Sequence, residues 1–199
     1  VMDEADRMLD MGFIDDINLL IEKLPEKKQT IFFSATMPDA VAGLSYDILN
    51  NPKRIDATPA SSTVDTISQK VILCRKVDKF QLLKKILKEE PTELVIVFTK
   101  TKNMADKVRE YLIHSRIPAT VIHGDKDQQD RDKALHNFKI GSYKVLIATD
   151  IAARGIDVQG ISHVINFELP LEAESYVHRI GRTARAGKDG IAISLVDDS

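Results

Sequence analysis

Four stretches of this sequence gather residue types that can do chemistry. Asp3-Glu4-Ala5-Asp6 sets three carboxylates within four positions, directly after the apolar step Val1-Met2. A carboxylate at a strand end can hold Mg²⁺, and a neighbouring one can orient or deprotonate an attacking water. Acidic residues at a helix start also cap it and complement its dipole, and the tetrapeptide taken alone favours that simpler reading. Ser34-Ala35-Thr36 brings short hydroxyl side chains to the end of an apolar run, where ligands bind in open α/β sheets, or else begins a turn. The stretch from Ile147 to Asp157 leaves an apolar run for Thr149, Asp150, Arg154, Gly155 and Asp157. A glycine there permits close backbone approach to a ligand, and Asp157 can accept hydrogen bonds from ribose hydroxyls. The alternative is a capped strand-to-helix turn. The stretch His178–Gly187 holds Arg179, Arg182 and Arg185 between flanking glycines. Guanidinium groups suit phosphate because they stay charged and offer several donors in a fixed fork, and the ordered spacing favours this over a solvated helix end.

Residues of this kind need a rigid frame, and the pattern of apolar runs describes one. Strands are predicted at Thr30–Phe33, Val71–Cys74, Leu94–Phe98, Thr120–His123, Val145–Thr149, Val164–Phe167 and Ile191–Val196. Most are too continuously apolar for one-sided exposure, as expected of strands covered on both faces. Helical spacing separates them, as in Phe80, Leu83 and Leu87, and in Met104, Val108 and Leu112. This alternation predicts an α/β fold with a mainly parallel sheet. The small, polar, proline-containing stretch Thr58-Pro59-Ala60-Ser61-Ser62-Thr63 marks a boundary. The expected organisation is a unit over 1–57, a linker over 58–67 and a second unit over 68–199.

Composition narrows the class. With 43% hydrophobic and 29% charged residues, the 199-residue chain suits a globular protein. No apolar run approaches the roughly 20 residues of a membrane span, so no membrane partner is expected. Cys74 is the single cysteine, which excludes intrachain disulfides and cysteine-based zinc sites and suits a reducing compartment. The net charge of −2 is unevenly spread. Residues 1–60 carry 6 basic and 11 acidic residues, whereas 61–199 carry 22 and 19, so a local basic groove belongs to the second part.

Together, in order and spacing, the four stretches resemble the DEAD-box branch of the superfamily 2 helicases, with a bacterial flavour. Asp3-Glu4-Ala5-Asp6 resembles that family's Mg²⁺/ATP motif and Ser34-Ala35-Thr36 its coupling motif. Val95–Lys100 is similar to its strand-end motif in the second lobe, and His123-Gly124 with Gln128 and Arg131 to its histidine-glycine and Gln-x-x-Arg pattern. The resemblance implies a RecA-like parallel sheet with helices on both faces, preceded by the end of a first RecA-like lobe; the opening Val1-Met2 reads as a cut end. It implies that Asp3 coordinates Mg²⁺ through water and Glu4 orients the hydrolytic water. It also implies that Arg182 and Arg185 reach the γ-phosphate of ATP, and that Gly155 and Asp157 lie at the nucleotide. Arg131 and Thr149, with Thr99 and Gly155, would contact the RNA backbone. His178 would couple the lobes opposite Ser34, Thr36 and Asp6. ATP and Mg²⁺ are the implied cofactors, RNA the implied partner and the cytoplasm the implied location. One departure is Ala184, where the family often has glycine; little effect is expected unless φ there is positive.

The sequence contains no Gly-x-x-x-x-Gly-Lys-Ser/Thr phosphate loop. Gly155 and Gly160 have the glycine spacing, but Ile161 stands where lysine is needed. Three other readings therefore stay open: a non-catalytic RNA- or protein-binding module, a DNA-directed helicase, and a structural adaptor on the same fold. The literal Asp-Glu-Ala-Asp and the arginine series weigh against the last two. Residues 1–57 are expected to be either mobile or ordered by self-association with a second copy, because a partial lobe leaves strand edges and apolar faces without neighbours.

Overall fold

The computed structural model describes residues 1–56, 66–153, 156, 158–185 and 189–197. The chain divides into two compact units, Val1–Ala57 and Thr58–Ser199. Most of the expected linker lies outside the described residues, and Ile67, assigned to the linker's end, is the first residue of a strand.

The first unit contains helices α1 (Ala5–Asp10), α2 (Ile14–Lys23) and α3 (Asp39–Ile48). Its small core is Ala5, Ile17, Val41 and Leu44. The strand predicted at Thr30–Phe33 is reduced to one parallel bridge between Met2 and Phe32. Met2 N–H donates to Ile31 O and Phe33 N–H to Met2 O, both at 2.8 Å. A ladder propagates only when a neighbour lies alongside, and no further strand flanks this bridge among the described residues. Leu20, Leu24 and Phe33 are accordingly exposed at 64, 52 and 54%.

The second unit is built on six strands: β1 (Ile67–Leu73), β2 (Leu94–Thr99), β3 (Ala119–Ile122), β4 (Val145–Thr149), β5 (Ile161–Asn166) and β6 (Gly190–Val196). They pair in the order β1-β6-β5-β2-β4-β3, every pairing parallel. Helices α4 (Lys79–Glu89) and α5 (Lys102–His114) pack on one face, where Leu83, Ile86, Val108 and Leu112 meet Val95, Val97, Ile147 and Ile165. On the other face Ala134 and Phe138 of α6 (Gln128–Lys139) join Ile96, Phe98, Ile122, Leu146 and Ala148. Ile180 of α7 (Ala173–Ile180) packs with Ile67, Ala184 and Ala192. Residues of β2 alternate between the two clusters, which is why a strand apolar at every position was needed there. β1 is an exception to the two-sided cover expected of most strands: it is an edge strand whose Val71 and Leu73 are exposed.

This contrast sets a measurable difference between the units. Amide exchange at Phe33 is expected to be at least about 100-fold faster than at Val145–Thr149, because a single bridge opens locally whereas a central strand opens only with the unit. Equal protection in a sample shown by light scattering to be monomeric would contradict it.

Candidate functional site

In the first unit two of the sequence motifs are tied to each other. Asp6 is 5% exposed. Its Oδ2 accepts from Thr36 N–H at 2.7 Å and from the Thr36 hydroxyl at 2.8 Å, while its Oδ1 accepts from Arg7 N–H at 3.0 Å. Asp6 N–H donates to Ser34 Oγ at 3.2 Å, and the Ser34 hydroxyl donates to Thr36 O at 2.6 Å. The predicted group Asp6, Ser34 and Thr36 is therefore assembled within one unit, across about 30 residues of chain. Burial pushes the Asp6 carboxyl up, but the hydrogen bonds from Thr36, Arg7 and Ser34 together outweigh it and hold the group below its ordinary value.

Asp3 and Glu4 behave differently. Glu4 occupies the N-cap position of α1 but makes no capping hydrogen bond with its side chain. Its backbone is left-handed, φ 51°, a conformation unusual outside glycine, and its N–H is held by Asp3 Oδ1 at 2.9 Å. Both carboxylates are exposed. Simple helix capping by Glu4 is thus not what these residues do. Among the described residues no three His, Cys, Asp or Glu side chains gather to hold a metal. Asp3 with Glu4 fits an ion that takes most of its ligands from water and a bound phosphate, the usual habit of Mg²⁺.

In the second unit the candidates Thr99 and Thr149 lie at the carboxyl ends of β2 and β4, where open α/β sheets bind ligands. Thr99 ends β2 fully buried, its hydroxyl donating to Thr101 O at 3.2 Å. Thr101 in turn caps α5 by accepting from Met104 N–H. Thr149 ends β4 half-buried. After β3, buried His123 accepts from Asp125 N–H at Nδ1, which assigns the proton to Nε2 for donation to Asp106 at 3.1 Å. Asp106 also pairs with Lys126. Burial raises its carboxyl, but the hydrogen bond from His123 and the Lys126 ammonium leave it below its ordinary value. Arg131 sits on the first turns of α6, and its Nε is buried with no hydrogen-bond partner among the described residues. Gly155 and Asp157 lie outside the described residues.

The arginine series splits. Arg179, read with the others as a phosphate ligand, is 1% exposed and wholly committed inside the unit. Its Nε and Nη2 donate to Asp150 Oδ1 and Oδ2 at 2.6 and 2.8 Å. Its Nη1 donates to Asn166 Oδ1 and Glu168 O, and its guanidinium lies 5.0 Å from the Phe98 ring centre. Sequence reasoning gave no role to this cluster, although the placement of Asp150 directly after the β4 strand was a usable signal. Arg182 and Arg185, by contrast, are only half-buried and converge: Arg182 Nη1 donates to Ile156 O at 3.1 Å and Arg185 Nη1 reaches the same oxygen at 3.5 Å. His178 is half-exposed, 4.0 Å from Glu174. Ala184, between the two arginines, has φ 55°, so the condition under which alanine there matters is met. Left-handed alanine costs about 1 kcal/mol or more, offset here by packing against Ile67, Ile180 and Ala192.

Residues 78–187 match the family described as helicase conserved C-terminal domain, and residues 1–44 match DEAD/DEAH box helicase. The C-terminal domain of the DEAD-box protein Dbp5 aligns at 38% identity and TM-score 0.61, over 68% of this chain and 79% of that one. The chain belongs to the DEAD-box helicases. The DEAD-box ATP-dependent RNA helicase RhpA of Helicobacter pylori is 44% identical over 98% of this chain, and the ATP-dependent RNA helicase DbpA of Bacillus subtilis 46% identical over 98%. The chain spans about two fifths of the length of these relatives. S. cerevisiae Dbp5 bound to RNA and ADP BeF3 superposes with TM-score 0.86 at 36% identity, over 99% of this chain and 52% of that one. These likenesses bear out the RecA-like parallel sheet, and the curated relatives named are bacterial. Among the described residues no helix is long and apolar enough to cross a membrane.

The Asp6 cluster generates a stability prediction with a definite sign. A carboxylate whose pKa is depressed on folding stabilises the fold above its unfolded value, here 3.8, and that stability is lost as pH falls through the folded value. Asp6→Asn is expected to destabilise the first unit at neutral pH by about 1–3 kcal/mol, because one of its acceptor oxygens becomes a donor. Denaturation of both proteins at pH 7 and below pH 3.8 checks this, the gap narrowing in acid. A gap independent of pH would contradict it.

Proposed function

We propose that this chain is the end of the first lobe and the second lobe of an ATP-dependent DEAD-box RNA helicase, coupling ATP hydrolysis to RNA binding and local duplex separation. The observation that carries this reading is the convergence of Arg182 and Arg185 on one carbonyl oxygen, beside a strand end bearing Thr149 and Asp150. Two guanidinium groups brought together in a half-buried setting suit the charge that spreads over a phosphoryl group in transfer. Asp3 would hold Mg²⁺ through water, and the ion would supply charge neutralisation at the phosphates. Glu4, next to it in a fixed left-handed turn, orients the attacking water and accepts its proton. Gly155 and Asp157 are assigned to the nucleotide by their positions in the motif.

RNA contacts are assigned to Arg131, Thr149 and Gly155, with Thr99 supporting them by holding the Thr101 turn. Arg131 is half-buried near the start of α6, and a guanidinium that stays charged suits a phosphate ligand. Recognition through phosphate and sugar would be independent of base sequence. The latch of Asp6, Ser34 and Thr36 holds the Asp-Glu-Ala-Asp turn, and through it and His178 ATP turnover is coupled to RNA. The cytoplasm is the expected location. Pairing of exposed Leu20, Leu24 and Phe33 with a second copy is the expected route of any self-association.

A second reading is favoured by one observation: these 199 residues contain no phosphate loop. On it, the chain alone is a non-catalytic RNA- or protein-binding module. The two readings meet in one experiment. The 199-residue chain is expected to show no RNA-stimulated ATP turnover, whereas the full-length protein turns ATP over and loses about 10³-fold or more in kcat on Arg185→Ala with ATP binding nearly unchanged. A full-length Arg185→Ala enzyme of normal kcat would remove this arginine from the reaction. Turnover by the purified chain, abolished by Glu4→Gln, would overturn the modular reading.

A further inference from the structure

Arg182 and Arg185 stand on a short segment that follows a helix end. α7 ends at Ile180, and Arg182 N–H and Thr183 N–H return to Arg179 O and Ile180 O in a turn. Between the two arginines lie Thr183 and Ala184. Ala184 is in the left-handed region, which alanine leaves readily unless neighbours forbid it. Three contacts do so.

Thr183 is 1% exposed. Its hydroxyl donates to Ile161 O and lies 3.2 Å from Ser162 O, both at the start of β5. Gly190, the first residue of β6, is packed directly against it. A Cβ at Gly190 would stand 2.5 Å from Thr183 Cγ2 and Oγ1 and 2.7 Å from Ala184 N. The Ala184 methyl closes the third side against Ile67, Ile180 and Ala192. The segment is thus keyed into the start of the sheet by a hydroxyl and by a missing side chain.

We infer that Thr183 and Gly190 are positioning residues that hold Arg182 and Arg185 at a common point, through the fit of Thr183 over Gly190 and its bond to β5. The inference rests on the proposed role of the arginines for its catalytic consequence, but the lock itself is a property of the chain. It also explains why alanine is tolerated at Ala184. The turn is enforced from outside, so it does not depend on glycine's freedom there.

The lock is read first in the 199-residue chain. Arg185 Nε–H donates to Gly181 O at 3.1 Å only while the segment keeps its turn. Its NMR signal, assigned by its loss in Arg185→Lys, is expected to exchange slowly in the wild type and in Thr183→Ser. It should exchange about tenfold faster or more in Thr183→Val and Gly190→Ala, since both release the turn locally. Unchanged exchange in Thr183→Val, an isosteric loss of the hydroxyl in a chain of checked melting temperature, would overturn the lock whatever Gly190→Ala does. The consequence is read in the full-length protein as RNA-stimulated ATP turnover. Thr183→Val and Gly190→Ala are expected to lower kcat by about 100-fold with KM for ATP changed less than about threefold, the signature of misplaced transition-state groups. Thr183→Ser should recover kcat to within about threefold, because the hydroxyl bond returns. A change confined to KM, or a serine variant as impaired as the valine one, would overturn the positioning role. Arg185→Ala runs beside them: normal turnover there with a released turn in Thr183→Val would sink the proposed chemistry and leave the lock standing.

Discussion

A guanidinium taken out of water must find a partner for its charge and for its donors, and in the second unit Arg179 finds both. Bidentate pairing with Asp150 neutralises it, Asn166 and Glu168 O take the remaining fork, and Phe98 covers one side of the plane. These partners belong to the ends of β4, β5 and β2, so a single side chain from α7 fixes the level at which three strands stop. Thr99 and Thr149 are carried on those same ends. Lysine could not substitute, because one ammonium cannot span a carboxylate, an amide and a carbonyl in fixed directions. Removing Asp150 would strand the buried guanidinium, at a cost of about 3–5 kcal/mol.

The same division of labour runs through both units. In each motif one charged residue is spent inward and its neighbours are left outward. Asp6 is absorbed by Thr36 and Arg7, and Asp3 and Glu4 remain exposed. Arg179 is absorbed by Asp150, and Arg182 and Arg185 remain half-exposed. The inward residue gives the turn its shape, and the outward residues acquire a fixed spacing from it. Preorganisation of this kind matters for phosphoryl transfer, where placement of charge supplies most of the rate.

Much of this frame was legible in the chain. The runs at Leu94–Phe98 and Val145–Thr149 are apolar at consecutive positions because each is a central strand covered on both faces, and both were placed within a residue. The start of β1 was not legible, because Ser68-Gln69-Lys70 is an exposed polar run on an edge strand. Thr30–Phe33 misled for the opposite reason: its composition suits a strand, but pairing depends on neighbours. Helix α6 went unremarked, since only Ala134 and Phe138 of its twelve residues are buried. At the site, residue types and order identified the motifs. What they could not convey was which arginine turns inward, since Arg179, Arg182 and Arg185 share one chemistry and differ only in what surrounds them.

The claim that the unit depends on the Asp150–Arg179 pair is tested most directly by a double-mutant cycle in the 199-residue chain. The variants are Asp150→Asn, Arg179→Gln and the pair together, each followed by denaturant unfolding of the second unit. The expected result is a coupling free energy of about 2–3 kcal/mol, because Asp150→Asn leaves the buried guanidinium without its counter-charge and the second change relieves it. Two additive losses, with coupling near zero, would mean that the strand ends are held by packing alone and that the pair is a passenger in the core.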